Sequence, residues 1–158
     1  MLDKQITSLH DLVKETVEEM QHISHHIYTV RKLPNAYVNA DSRRIQQVIV
    51  NLLTNAAKYS PGSADIVIGI EKERDSVKFY VQDFGVGIPK EKIPLIFERF
   101  YRVEENGSIV QGLGLGLYIC SGIIKNHRGK IGAESIPDQG STFWFSLPLA
   151  NVFETSII

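Results

Sequence analysis

The chain carries a single cysteine, Cys120, so no internal disulfide can form. It lies in an apolar helical pattern, where a packed thiol is expected rather than a reactive one. Basic excess is also missing: 17 lysines and arginines stand against 18 acids, a formal charge of −1. A domain that holds nucleic acid by bulk electrostatics carries a surplus of cations, so the expectation is no nucleic acid. No apolar run reaches the length of a bilayer span, and the opening residues carry no signal-peptide pattern, so none is expected. Together these absences fit a reducing, cytoplasmic setting. Over 158 residues, 43% hydrophobic content suits one globular domain with its own core.

What is present centres on Asp83-Phe84-Gly85-Val86-Gly87-Ile88, which comes after the alternating run Val77-Lys78-Phe79-Tyr80-Val81-Gln82. A carboxylate at a strand end can accept from an exocyclic amine, and glycines let backbone approach a flat ring. Adenine fits such a floor. Guanine would set a carbonyl oxygen against the carboxylate, so the site would choose ATP over GTP. By themselves the same residues also describe a strand end and a turn.

Two further stretches carry chemistry. Between Arg44 and Tyr59, Ile45, Val48, Ile49, Leu52, Leu53 and Ala56 recur at helical spacing and define a core stripe. Asn51, Asn55 and Lys58 fall at i, i+4 and i+7 on a separate face. An asparagine oxygen suits Mg²⁺ and a lysine ammonium suits phosphate, although a solvated helix flank has the same composition. Further on, Gln111-Gly112-Leu113-Gly114-Leu115-Gly116-Leu117 runs into an apolar helical pattern ending near His127. Glycines before a helix expose N–H groups at its positive end, an anion site in the making or a flexible loop.

In this order and spacing, the stretches resemble the ATP-binding catalytic domain of sensor histidine kinases, within the ATPase family that includes Hsp90, DNA gyrase B and MutL. The resemblance also takes in the phenylalanine box Ile96-Phe97-Glu98-Arg99-Phe100-Tyr101-Arg102 and the ending Gly140-Ser141-Thr142-Phe143-Trp144-Phe145-Ser146-Leu147-Pro148. It implies an α/β (α+β) two-layer sandwich, with a mixed sheet, about three helices and a long ATP lid between Phe84 and Gly112. Residues 1–150 would form this domain and 151–158 a tail.

The resemblance also assigns roles. Asp83 would hold the adenine amine, with Gly85 and Gly87 beside it, Tyr59 and Ile88 against the base, and Thr142 steadying Asp83. Asn55 would ligate Mg²⁺, while Asn51 and Lys58 serve the phosphate side. Gly112, Gly114 and Gly116 would offer N–H groups to the phosphates, and Arg102, ahead of Arg99 or Gln111, would reach them from the lid. The reaction implied is transfer of the γ-phosphoryl group of ATP to a histidine on a dimerisation domain absent from this chain, and onward to a response regulator. The fragment is then expected to be monomeric, to bind nucleotide, and to show little autophosphorylation. The parent would be longer at its N-terminus and open to membrane anchoring. Leu113 departs from the small hydroxylated residue common in the glycine box.

Elsewhere, Ser8 three residues before Asp11 predicts a helix start, and Leu9, Leu12, Val13, Val17, Met20 and Ile23 give it an apolar face. His22 and His26 share i, i+4 spacing, but without a carboxylate or cysteine at ligand spacing they read as a solvated helix end. His10 precedes Asp11 as a phosphoacceptor histidine precedes an acid; the next residues, Leu12-Val13-Lys14, break that motif. Short β-rich pieces come next at Ile27–Val30 and Tyr37–Val38, then Asp41 or Ser42 as the next helix cap. A helix is expected from Lys90 to Phe97, and strands at 66–70, 77–82, 130–135 and 142–147. Asp83-Phe84-Gly85 coincides with the triplet of eukaryotic-type protein kinases, but no His-Arg-Asp loop or Val-Ala-Ile-Lys strand accompanies it. A dinucleotide fingerprint fails too, since Lys90 and Leu117 occupy its third glycine position. An anti-sigma-factor-like serine kinase and a degenerate interaction module without nucleotide are the alternatives.

Overall fold

A computed structural model of the chain describes residues 1–58, 60, 65–98 and 116–151. Among the described residues, seven strands and three α-helices run in the order β1 (Gln5–Ser8), α1 (Leu9–Ile23), β2 (Ile27–Lys32), β3 (Tyr37–Ala40), α2 (Ser42–Lys58), β4 (Asp65–Lys72), β5 (Ser76–Asp83), α3 (Gly116–Asn126), β6 (Lys130–Ile136) and β7 (Gly140–Pro148). A 3₁₀ turn, Lys90–Leu95, lies between β5 and α3.

Five strands make one mixed sheet in the order β2-β4-β5-β7-β6, with β2 parallel to β4 and the other pairs antiparallel. Alternation decides its faces. Ile66, Ile68 and Ile70 of β4, Val77, Phe79 and Val81 of β5, and Phe143, Phe145 and Leu147 of β7 are all buried. Phe79 and Phe145 stand directly opposite, with ring centroids 5.3 Å apart. On the other face Lys78 Nζ lies 4.6 Å from the Trp144 ring centre. By the same parity, Asp83 continues the buried series of β5 and turns its carboxylate toward the helices.

The helices cover the inner face. All six stripe residues of α2 are buried, and the five larger aliphatic ones contribute about 1.5–3 kcal/mol each. Leu9, Val13 and Val17 of α1 join the same core, as do Cys120, Ile123 and Ile124 of α3. Ile23, expected on the apolar face of α1, ends the helix exposed. Ser8 caps α1 by accepting from Asp11 N–H at 3.1 Å. For α2 the cap is Asp41, whose Oδ1 accepts from Arg44 N–H at 3.4 Å.

Two further expectations change. β1 is a strand where the sequence suggested only a helix start; its polar Gln5-Ile6-Thr7-Ser8 acquires β structure from antiparallel pairing with β3. The segment after Pro89 is 3₁₀ and not α-helical, with Pro94 inside it. Proline removes a backbone donor and crowds the preceding turn, which an α-helix does not absorb cheaply.

Candidate functional site

β5 delivers Asp83 to the inner face opposite Ser141 of β7. The residue is 1% exposed. One carboxylate oxygen, Oδ1, accepts from Gly85 N–H at 3.0 Å and from Ser141 N–H at 3.2 Å. The other, Oδ2, is buried and has no hydrogen-bond partner among the described residues. Burial raises the Asp83 pKa above the usual carboxylate value, against the two N–H bonds that lower it. An unsatisfied buried acceptor costs about 1–3 kcal/mol, more when charged, and a ligand donor would offset that cost. This is the chemistry of a receptor for an N–H group.

The loop after Asp83 is built around glycine. Gly87 has φ +77°, and a Cβ there would stand 2.5 Å from Ile136 O. Asp138 N–H donates to Val86 O at 2.7 Å, so the loop is sewn to the β6–β7 turn. Gly140 has φ +119°, and its missing side chain leaves room for the Asp83 carbonyl. Ile88 donates its N–H to Ser135 Oγ, and its side chain packs 1% exposed within the core cluster.

α2 and α3 supply the second wall. Asn51 and Asn55 are half-buried and Lys58 is exposed at the end of α2, on the face the periodicity indicated. Asn51 Nδ2 donates to Cys120 Sγ at 3.4 Å. Burial pushes the Cys120 thiol up to about 11, which makes it a packing group. Gly116 is the first residue of α3, with no neighbour among the described residues within 4 Å of where a side chain would begin.

Asp83, Gly85, Gly87 and Ile88 thus share one turn, and Asn51, Asn55 and Lys58 share one helix face. Tyr59, Arg102, Gly112 and Gly114 lie outside the described residues, as do Arg99 and Gln111. Thr142 is a correction. It pairs with Gln82, one register step from Asp83, and so points to the opposite face of the sheet. Ser141 is the residue beside Asp83; its hydroxyl lies 3.0 Å from Ser135 Oγ. Alternation places Ser141 in one set with Phe143 and Phe145, and the register of β5 against β7 is what brings that set to Asp83.

The histidines form no metal centre: among the described residues no group of three His, Cys, Asp or Glu could hold an ion. His22 and His25 are exposed, whereas the ring of His26 is half-buried with Nε2 2.9 Å from Ser60 O. His10 Nδ1 lies 2.9 Å from Asp11 Oδ1 in an exposed pair. No described helix is long and apolar enough to cross a membrane.

Residues 40–151 match the family described as histidine kinase-, DNA gyrase B- and HSP90-like ATPase. The adaptive-response sensory kinase SasA of Rippkaea orientalis is 43% identical over 118 residues, 74% of this chain and 29% of that protein. The sensor histidine kinase WalK of Bacillus subtilis is 39% identical over 128 residues, 78% of this chain and 21% of that protein. The chain therefore spans under a third of the length of these relatives. Among solved structures, the catalytic domain of histidine kinase ThkA superposes with a TM-score of 0.76 at 31% identity, covering 93% of this chain and 96% of that one. Full-length ShkA in complex with AMPPNP gives a TM-score of 0.80 at 26% identity, covering 95% of this chain and 32% of that one. By sequence and by fold, the chain belongs to the histidine kinase-, DNA gyrase B- and HSP90-like ATPase family, as a catalytic domain of the sensor histidine kinase kind.

Proposed function

We propose that this domain binds Mg·ATP and donates its γ-phosphoryl group to a histidine on a separate dimerisation domain, within a cytoplasmic two-component relay that ends on a response regulator. The observation that carries the nucleotide reading is Asp83 Oδ2, a buried carboxylate oxygen without a partner among the described residues, on a carboxylate whose orientation two N–H donors fix through Oδ1. The adenine amine donates to that oxygen. Guanine presents an acceptor there and is refused.

The remaining roles derive from chemistry and position. Ile88 and Tyr59 flank the base, and Gly85 and Gly87 shape the loop beneath it. Ser141, in place of Thr142, steadies Asp83. Asn51 and Lys58 face the phosphates, where the lysine acts as a point charge. Asn55 would hold Mg²⁺, whose charge when bound neutralises phosphate oxygens. Gly116 opens α3, whose first N–H groups lie at its positive end, and Gly112, Gly114 and Arg102 would extend that anion site. Phosphoryl transfer asks little covalent chemistry of the protein, so these groups act by positioning and charge stabilisation.

Support for the kinase assignment comes from the relatives, and from ShkA, whose solved structure holds AMPPNP. Calorimetric titration with Mg·ADP and Mg·GDP tests the first step, and phosphate transfer from labelled ATP to an added dimerisation domain tests the second. Adenine-selective binding with acceptor-dependent phosphohistidine is expected. Equal binding of the two nucleotides, or phosphohistidine formed on this domain alone, would refute the corresponding step.

A further inference from the structure

His127 directly succeeds the last residue of α3 and is 4% exposed, yet neither the nucleotide contacts nor the core stripe account for it. Both ring nitrogens are engaged. Nδ1 lies 2.7 Å from Ile123 O, and Nε2 lies 3.1 Å from the backbone nitrogen of Asp41, 86 positions away in the chain. A carbonyl can only accept and an amide N–H can only donate, so Nδ1 carries the proton and Nε2 accepts. One tautomer satisfies both.

Asp41 is the N-cap of α2, and its carbonyl accepts from Ile45 N–H at 3.0 Å. The imidazole therefore ties the C-terminal end of α3 to the corner from which α2 departs. Its own footing is firm. Gly129 N–H donates to Ile124 O at 2.9 Å, and a side chain on Gly129 would collide with Ser146 O of β7, so the turn after α3 sits against the sheet.

Contacts at Asp41–His127 and Asn51–Cys120 make α2 and α3 antiparallel neighbours. The far ends of that pair are Lys58 and Gly116. α2 is 17 residues long, so Lys58 stands about 25 Å from the pinned corner, and a small tilt at the pin becomes a larger displacement at the phosphate side. We infer that His127 is a positioning residue for the nucleotide site, holding the Asp41 corner against α3 and so fixing the Asn51, Asn55 and Lys58 face of α2 relative to the glycine-led start of α3. This inference rests on the nucleotide-binding reading above.

The test uses three variants, Mg·ADP calorimetry, and amide hydrogen exchange at Asp41. His127→Asn keeps a donor near Ile123 O but loses the acceptor for Asp41 N–H; His127→Gln places an amide oxygen where Nε2 was. Val77→Ala, in the core of β5, serves as a control of matched stability loss. His127→Asn should weaken ADP about fivefold or more and speed exchange at Asp41, the size expected of coupling between neighbouring elements. His127→Gln should recover most of both. Val77→Ala should leave affinity within about twofold, as distant sites do. ADP binding by His127→Asn within that same margin overturns the inference, as does an equal affinity loss in Val77→Ala. Absence of ADP binding by the wild type overturns the nucleotide reading instead, and unchanged exchange at Asp41 in His127→Asn then overturns the pin by itself.

Discussion

Replacing Asp83 with asparagine separates the cost of the site from its use. The substitution keeps the shape and leaves Oδ1 to accept from Gly85 and Ser141. It removes the charge, and it can set an amide N–H where Oδ2 lies buried and unpartnered among the described residues. A hydrogen bond to a charged acceptor contributes about 1.5–3 kcal/mol, so ADP affinity should fall roughly ten- to a hundredfold. The same N–H can donate to a guanine carbonyl oxygen, so selectivity over GDP should narrow as well.

Stability should move the other way. Because burial raises the Asp83 pKa from its ordinary 3.8, the folded state binds this proton more tightly than the unfolded chain does. Stability then falls as pH rises from the ordinary carboxylate range through the raised folded value. The asparagine variant lacks that proton and does not share the fall. At pH 7 its melting temperature without nucleotide should equal or exceed that of the wild type, and the gap should close as pH is lowered. Calorimetric titration and thermal melts at several pH values read both. Affinity within about threefold of the wild type, less than one charged hydrogen bond is worth, would refute the role of Oδ2. A melting temperature well below the wild type at pH 7 would refute the claim that the buried charge is a net cost to the fold.

Ser141 and Thr142 give a direct contrast, since they lie on opposite faces of β7. Ser141→Ala keeps the N–H that Asp83 accepts and loses the hydroxyl bonded to Ser135 Oγ, so it should weaken ADP by no more than several-fold, about the worth of one neutral hydrogen bond, while Thr142→Ala leaves it unchanged in the same titration. Gly87→Ala combines an unfavourable φ of +77° with a Cβ 2.5 Å from Ile136 O. It should cost about 1–3 kcal/mol in denaturant unfolding, and a loss below about 0.5 kcal/mol would show that the loop relaxes freely.

The chain's local order was written in its spacing. The 3.6-residue recurrence of Ile45, Val48, Ile49, Leu52, Leu53 and Ala56, the two-residue alternation from Val77 to Val81, and Ser8 ahead of Asp11 each describe interactions within a few residues, and each became the expected element. Asp83 was legible for the same reason: a carboxylate in phase with the buried set of its own strand. Strand order, the polar β1, the choice of Ser141 over Thr142 and the bond from Asp41 to His127 depended on partners far along the chain, 86 positions away in the last case. Such pairings are set by register and by which surfaces meet, and a shift of one residue reverses every face, so the sequence could name the chemistry at Asp83 while only the assembled sheet and helices decided which neighbours hold it.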